Sequence, residues 1–406
     1  MKRLLFLTLM ISFPFFGCAQ ANNGRKPIAL SDEEKVYAEA GNDFAFRFLQ
    51  QIDACEKGNW FVSPVSLQYL LGLVLDGAEG ATADEICRTL GYPDGQSEAV
   101  DAFCRKMLTE LPRLDKKTKL TLANAIFFNN KMEIQVPYKK RVEKYYDAEV
   151  ESLDFYQKLA SLRTINGWCN RQTNGLIPAV LDDVSPDMFA YLLNALYFKG
   201  TWMYPFNKRS TQDRTFTLES GEQKEIPMMM KERKYGYGEN DVFQRVILPY
   251  GNGSYSMIVL LPKKGHTVAD VIADVNGENW KEIYSRWNYS TLVNVWLPPF
   301  ESKYHIKLND ILCAMGMPRS FCPKAEFKPM SDDALWLSFV QQDAVIKVDE
   351  EGTEAAAVTS AGMVGATAIA EPPRIIMFHC DHPFLYLITE NSTGTVLFAG
   401  KFTGEK

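Results

Sequence analysis

The stretch EEGTEAAAVTSAGMVGATAIAEP, Glu350 to Pro372, decides how this chain is read. Three carboxylates, Glu350, Glu351 and Glu354, open it around Gly352, and from Ala355 to Ala370 there is neither charge nor proline. Its side chains are nearly all Ala, Gly, Ser, Thr or Val, which leaves too little apolar bulk to build a core. Gly362, Gly365 and the β-branched residues make it a poor helix. It is also too short and too polar to cross a membrane. On composition alone it reads as a flexible loop or linker. Drawn out as a strand, it puts Thr353, Ala355, Ala357, Thr359 and Ala361 on one face. That face is uniformly small, so the segment could slide between two strands of an existing sheet without a clash.

EEGTEAAA resembles the hinge of inhibitory serpins. The resemblance continues through SDDALWLSFVQQDAVIKVD before it and FHCDHPFLYLITENSTGTVLFAGKF after it. Upstream it runs through NWFVSPVSLQYLLGLVLDGAEGATADEI, LTLANAIFFNN, YDAEVESLDF, INGWCNRQTNGLIPAVL and LLNALYFKGTWMYPF. These motifs stand in the family's order and cover roughly Asp32 to Phe402. The resemblance implies a mixed α+β fold: three β-sheets, a helical cluster and an exposed reactive-centre loop at about 350–374. It also implies an inhibitor of serine proteases that acts as a suicide substrate, works as a monomer and needs no cofactor.

The wider composition agrees with a globular domain. No Pro/Gly/Ser-rich linker, charge run or internal repeat divides the 406 residues, and 46% hydrophobic with 23% charged is ordinary for one. The formal charge of −6 argues against nucleic acid as a partner. At the N-terminus, Lys2 and Arg3 precede the apolar run Leu4 to Phe16, which reads as a signal peptide within residues 1–21. Two exits from it are written. Phe15-Phe16-Gly17-Cys18 resembles a bacterial lipoprotein box, with Phe in an aliphatic position, and Ala19-Gln20-Ala21 is a small-x-small cleavage site. We read lipidation at Cys18, anchoring the chain to the bacterial envelope through a tether at 22–30. Residues 31–406 then form one domain. The seven cysteines besides Cys18 cannot all pair, and their spacing suits neither a zinc site nor a disulfide framework.

Local signals predict several elements. Ser31 to Glu34 is a capping box before a helix over Asp32–Cys55, with Phe44, Phe48 and Ile52 four apart. Ser63-Pro64 starts another helix through Leu67–Leu75. Thr82 and Glu85 read as a further box, with Gly91 ending that helix. Strands are expected at Lys119–Phe127, Met188–Phe198, Val242–Leu248, Ser256–Leu261, Thr291–Leu297 and Leu335–Val348, and a short helix at Thr267–Val275. Met188–Phe198, almost wholly apolar, suits a central strand buried on both faces. Thr389–Thr395 reads as a turn joining the last two strands.

Enzyme chemistry finds no support. There is no Gly-x-Ser-x-Gly, His-Glu-x-x-His or Walker loop, and nothing pairs a serine with His305. His379-Cys380-Asp381-His382 could suggest a metal, but an extended run before Pro383 does not converge its ligands. No metal is expected.

The resemblance assigns roles to particular residues. Glu350, Gly352, Thr353 and Glu354 begin the hinge, and Ala355, Ala356, Ala357 and Val358 form its insertable part. The family's hinge-to-bond spacing implies a scissile bond at Ala366-Thr367. The loop beyond it is long before His382-Pro383-Phe384, so Met363, Val364 and Ile369 are rivals. Ser63, Ser66 and Asn194 fall at shutter positions beneath the sheet, and Trp202 in the breach where the loop enters. Ordinary packing and capping would also explain these four. Gln342 replaces the shutter histidine of animal members, and Pro299 replaces a basic partner of the hinge glutamate, leaving Glu350 without an assigned partner. Uncharged residues around the bond point to elastase-like or subtilisin-like targets, with papain-like cysteine proteases as a further acyl-enzyme-forming class.

Overall fold

The computed structural model describes residues 25–92, 98–353 and 374–405. The chain opens as the capping signal predicts. Ser31 Oγ accepts from the Glu34 N–H at 3.1 Å, and the Glu34 carboxylate accepts from the Ser31 N–H at 2.7 Å. Together they start α1 (Asp32–Cys55), whose inner face buries Phe44, Phe48 and Ile52. After β1 (Trp60–Val62), Ser63 caps α2 (Pro64–Asp76), which is apolar nearly all round and correspondingly buried. α3 (Gly80–Leu90) ends on Gly91 in the left-handed conformation, φ 76°. Its predicted cap does not form. The N-cap is Glu79, without a side-chain bond, and the Thr82 hydroxyl accepts instead from the Glu326 N–H at 3.0 Å. A tertiary donor has taken the local acceptor. α4 (Glu98–Glu110) and α5 (Val136–Tyr146) complete the helical cluster, and α6 (Lys158–Gln172) lies apart from it. α7 (Val268–Asp274), α8 (Gly277–Ser285) and α9 (Asn309–Ala314) bring the described residues to nine α-helices.

Three sheets hold the rest. One is antiparallel and six-stranded, in the order β1, β16 (Val396–Phe402), β15 (Phe384–Glu390), β9 (Tyr255–Pro262), β8 (Phe243–Pro249), β7 (Gly236–Glu239). A second has β14 (Ile375–His379), β10 (Leu292–Leu297), β6 (Gln223–Arg233) and β5 (Gln212–Thr217), with β14 parallel to β10. The third runs β11 (Phe300–Lys307), β12 (Gln341–Asp349), β13 (Gly352–Thr353), β4 (Ala190–Thr201), β2 (Thr118–Asn129), β3 (Glu149–Leu153). β4 is central as predicted. Phe198 faces the main core, while Tyr191 and Ala195 face a smaller cluster under α6 with Phe127, Phe155 and Trp168.

Two expectations need correction. The strand expected from Leu335 begins only at Gln341, because the backbone of the preceding residues is bonded elsewhere. Leu337 N–H goes to the Ser320 carbonyl, Val340 N–H to Asn309 Oδ1, and the Val340 carbonyl to the Leu308 N–H, at 2.8–2.9 Å. The stretch read as a tether is docked at its end: Ile28 is buried and its N–H donates to Ser392 Oγ at 3.0 Å. The leader, Cys18 and the loop from Glu354 to Pro373 lie outside the described residues.

Candidate functional site

The site is built where β4 and β12 face each other. The two strands run in the same direction. Among the described residues they are joined only through β13: Thr353 pairs with Val348 and Gly200, Gly352 with Asp349 and Thr201. Gly352 has φ 151°, a conformation that side chains avoid, and a Cβ there would lie 2.1 Å from the Gly200 carbonyl oxygen. Only glycine fits. Thr353 is 2% exposed, and its hydroxyl meets the Tyr250 hydroxyl at 2.8 Å, so its burial leaves no polar group unpaired.

Around this entry the segment from Trp202 to Thr211 grips the turn that leads into β13. Trp202 N–H donates to the Glu351 carbonyl and Phe206 N–H to the Glu350 carbonyl, each at 2.8 Å. Trp202 Nε1 donates to the Asp349 carbonyl at 2.9 Å, and its ring stacks on Tyr250 at 4.4 Å. The partner that sequence reading left open for Glu350 is Thr211, whose hydroxyl donates to Glu350 Oε1 at 2.6 Å. Lys208 pairs with Glu351 at 2.8 Å, and that bond and the neighbouring carboxylates raise the Lys208 pKa. Asp349 Oδ1 accepts from the N–H groups of Glu351 and Gly352 and closes the turn.

Below the entry, the first turn of α2 holds both flanking strands. Ser63 N–H donates to Gln342 Oε1 at 2.7 Å, and Gln342 Nε2 donates to the Ser63 carbonyl at 2.9 Å. Ser63 Oγ accepts from the Ser66 N–H and donates to the Leu397 carbonyl of β16. On the other strand, the Ser66 hydroxyl donates to Asn194 Oδ1, Asn194 Nδ2 to Asn124 Oδ1, and Asn124 Nδ2 to the Tyr146 carbonyl. The structure thus brings all four shutter residues to one helix end. Ser63 both caps α2 and bonds to β12 and β16, so capping does not compete with the shutter position that the resemblance assigns to it. Lower still, a cavity of ≈ 80 Å³ separates β4 from the segment leading into β12, lined by Trp168, Tyr191, Asn194, Trp336 and Phe339.

Sequence reading missed Tyr250, Asn124, Lys208 and Thr211. None belongs to a local pattern, and each is recognised only once distant strands are adjacent. The His379–His382 run splits apart. His379 stacks on Trp296 at 3.7 Å, Cys380 is fully buried, and His382 bonds Asp381 Oδ1 and the Pro262 carbonyl. His305 pairs with Asp343 Oδ1 at 2.7 Å across β11 and β12. Among the described residues no group of three or more metal-ligating side chains converges, and all seven cysteines are free.

A mixed α+β fold of three sheets, with the two-residue strand Gly352–Thr353 seated between β12 and β4 at one end of the central sheet, defines the class of this protein. The family model described as Serpin (serine protease inhibitor) matches residues 39–404. The chain belongs to the serpin family, whose members in general inhibit proteases. It is 33% identical to Serpin B6 of Macaca fascicularis over 379 residues, 91% of this chain and 99% of that one. It is 28% identical to an uncharacterized serpin-like protein of Methanosarcina mazei, over 98% of this chain and 97% of the relative. Among solved structures, the thermophilic serpin tengpin in its native state superposes with a TM-score of 0.83 at 28% identity, covering 93% of this chain and 96% of tengpin.

Proposed function

We propose that this chain is an exported inhibitor of elastase-like and subtilisin-like serine proteases, acting by loop cleavage and insertion. Loop insertion is a known property of the family. The observation that supports it here is the strand Gly352–Thr353, already paired on both sides between β4 and β12. A target serine attacks the carbonyl of Ala366, the amine of Thr367 leaves, and an acyl-enzyme forms. The freed segment, with the small residues Ala355, Ala356, Ala357 and Val358, extends β13 down the sheet and drags the enzyme along before water completes hydrolysis. About 14 new backbone hydrogen bonds at ~0.5–1.5 kcal/mol net contribute on the order of 7–20 kcal/mol. A protease domain's entire stability is about 5–15 kcal/mol, so the insertion is sufficient to distort the catalytic site tethered to it. In this reading the chain is not itself an enzyme.

The test is incubation with an elastase followed by denaturing electrophoresis. A covalent adduct resistant to SDS supports the reading. Cleavage without any adduct across a broad panel of serine proteases would instead make this a non-inhibitory serpin serving as a surface binding protein. We further propose that Cys18 carries lipid and holds the inhibitor at the bacterial envelope, on the strength of the leader and its Phe-Phe-Gly-Cys box.

A further inference from the structure

The chain is acidic overall, at −6, yet one face beside the base of the loop is not. Lys231 and Arg233 lie on β6, Lys234 follows them, Arg245 lies on β8, and Arg374 directly precedes β14. Among the described residues none of these five cations makes an ion pair. Three of them are held by groups without net charge. Lys231 Nζ donates to the Pro205 carbonyl at 2.7 Å, and the Arg245 guanidinium donates to the Arg286 carbonyl at 3.1 Å. The Arg233 guanidinium lies 3.4 Å from the centre of the Tyr204 ring, and Arg245 lies 5.4 Å from that of Trp287. Carbonyls and ring faces orient a cation without neutralising it. The nearby acids have closer partners, Glu239 in Lys263, Glu282 in Arg286 and Glu232 in Asn294, and they reach Arg374 and Arg245 only by longer-range attraction.

A run of aromatic groups connects Arg233 with Arg245. Tyr204 packs edge-on against Tyr235 at 6.5 Å. The next residue, Gly236, carries Tyr289 and Trp287 so close that an added Cβ would lie 2.9 and 3.1 Å from them. Gly238, two residues on, pairs with Arg245. Burial first, and repulsion from neighbouring Arg233 second, hold the Lys231 pKa below the usual lysine range.

We propose that this face docks an acidic patch on the protease that attacks the loop, making it a second recognition site beside the scissile bond. The proposal rests on the inhibitor reading. Arg374 stands eight residues beyond Ala366, a distance of at most about 26 Å along extended chain. A protease of some 200 residues has a radius of gyration of about 16 Å and is roughly 40 Å across, so one seated at the bond covers this face. Charge of this kind acts on encounter and is screened by salt, with a Debye length of about 10 Å at 0.1 M.

The test uses two elastase-class proteases, one with an acidic and one with a basic surface around its active site, each with the catalytic serine replaced by alanine. Their non-covalent affinity for the wild-type chain and for the double variant R233E/K234E is measured by surface plasmon resonance from about 50 to 300 mM NaCl. The expected result is about a tenfold loss of affinity for the acidic enzyme at low salt, vanishing at high salt, with little change or a gain for the basic one. An equal effect on both enzymes, or one independent of salt, overturns the proposal. The inactive enzymes form no acyl bond, so the result stands apart from the inhibitor reading. That reading is tested separately by adduct formation with the active pair. Unchanged thermal melting of the double variant verifies its fold.

Discussion

Gln342 and Ser63, 279 residues apart, exchange two hydrogen bonds, the Ser63 N–H donating to the Gln342 side chain and that side chain donating back to the Ser63 carbonyl. Both residues are buried. One side chain thereby satisfies both backbone groups of the residue that caps α2 and fastens β12 to that helix. β4 is fastened to the same helix turn through Ser66 and Asn194. The strands that part in the proposed insertion are thus tied to a common post, and each can move only by leaving it.

Replacing Gln342 with leucine keeps the volume but strands the Ser63 N–H away from water, while the Ser63 carbonyl keeps the Leu67 N–H as a donor. Each unpaired buried group costs about 1–3 kcal/mol. The variant should melt several degrees lower and lose inhibitory capacity faster on storage at 37 °C, as the sheet opens without cleavage. Thermal unfolding and timed titration against an elastase check this. An unchanged melting point would mean that the pair carries no net stability.

The hinge separates packing from chemistry. Thr353→Val removes only the bond to the Tyr250 hydroxyl and should cost about 1 kcal/mol while leaving adduct formation intact. Thr353→Arg forces a charge into a site that is 2% exposed, at a cost of several kcal/mol. That variant should be cleaved as a substrate, without adduct. Gly352→Ala should behave like the arginine variant, because its methyl group meets the Gly200 carbonyl. Gel electrophoresis of the three reactions with elastase distinguishes the outcomes, and an adduct of normal yield from Thr353→Arg would contradict the insertion mechanism.

His379 and His382 should respond to pH in opposite senses. Burial lowers the His379 pKa below 6.5, outweighing nearby Asp381. Burial also acts against the charged form of His382, but bonds to Asp381 and the Pro262 carbonyl prevail and raise its pKa above 6.5. A raised pKa gives stability that is full below the unfolded value and lost as pH rises through the folded one. A lowered pKa in a histidine does the reverse, giving stability that is present above the unfolded value and lost as pH falls below it. Around neutrality, stability of His379→Gln should therefore fall more steeply with rising pH than wild type, and that of His382→Gln should rise. Urea unfolding between pH 5 and 8 provides the measurement, and parallel curves for all three proteins would refute the assignment.

What the chain's letters disclosed follows the range of each interaction. Caps at Ser31 and Ser63 are closed within three residues, and both form. Thr82 carries the same local signal but bonds to Glu326, 244 residues away, so the box was misread. Leu335–Val340 is apolar enough to read as a strand, yet its backbone is claimed by Asn309, Leu308 and Ser320. Family likeness reached Ser63, Ser66, Asn194, Trp202 and Gln342. It could not supply Thr211 for Glu350, because the basic position it relies on is Pro299 here. The excess of cations around Arg233 leaves no trace in composition, since the whole chain is acidic and only folding gathers them on neighbouring strands.

Envelope attachment is decided at the N-terminus. If Cys18 is acylated, the mature chain should begin at that residue, carry the mass of its lipids and partition with membranes. Cys18→Ser should then be released in soluble form. A mature chain starting at Asn22 without lipid would mean that Ala19-Gln20-Ala21 is cleaved instead. Intact-mass measurement of protein from the native host reads out either result.

Target preference follows from what the loop lacks. No Lys or Arg lies between Glu354 and Arg374, so a trypsin-like enzyme with an acidic specificity pocket has nothing to pair with. Ala366, Val364 and Ile369 suit a shallow apolar pocket, and Met363 adds weaker chymotrypsin-like recognition. Among such apolar residues a pocket discriminates by only about 1–3 kcal/mol, which predicts a broad inhibitor. Elastases and subtilisins should be inhibited rapidly, papain-like cysteine proteases less so, and trypsin not through this stretch. Mass spectrometry of the released C-terminal peptide locates the cut. A peptide starting at Thr367 agrees with the hinge-to-bond spacing, and one starting at Val364, Ala368 or Ala370 moves the bond while preserving the pocket argument. A peptide starting at Ile375 means cleavage after Arg374, an outcome the apolar specificity does not survive.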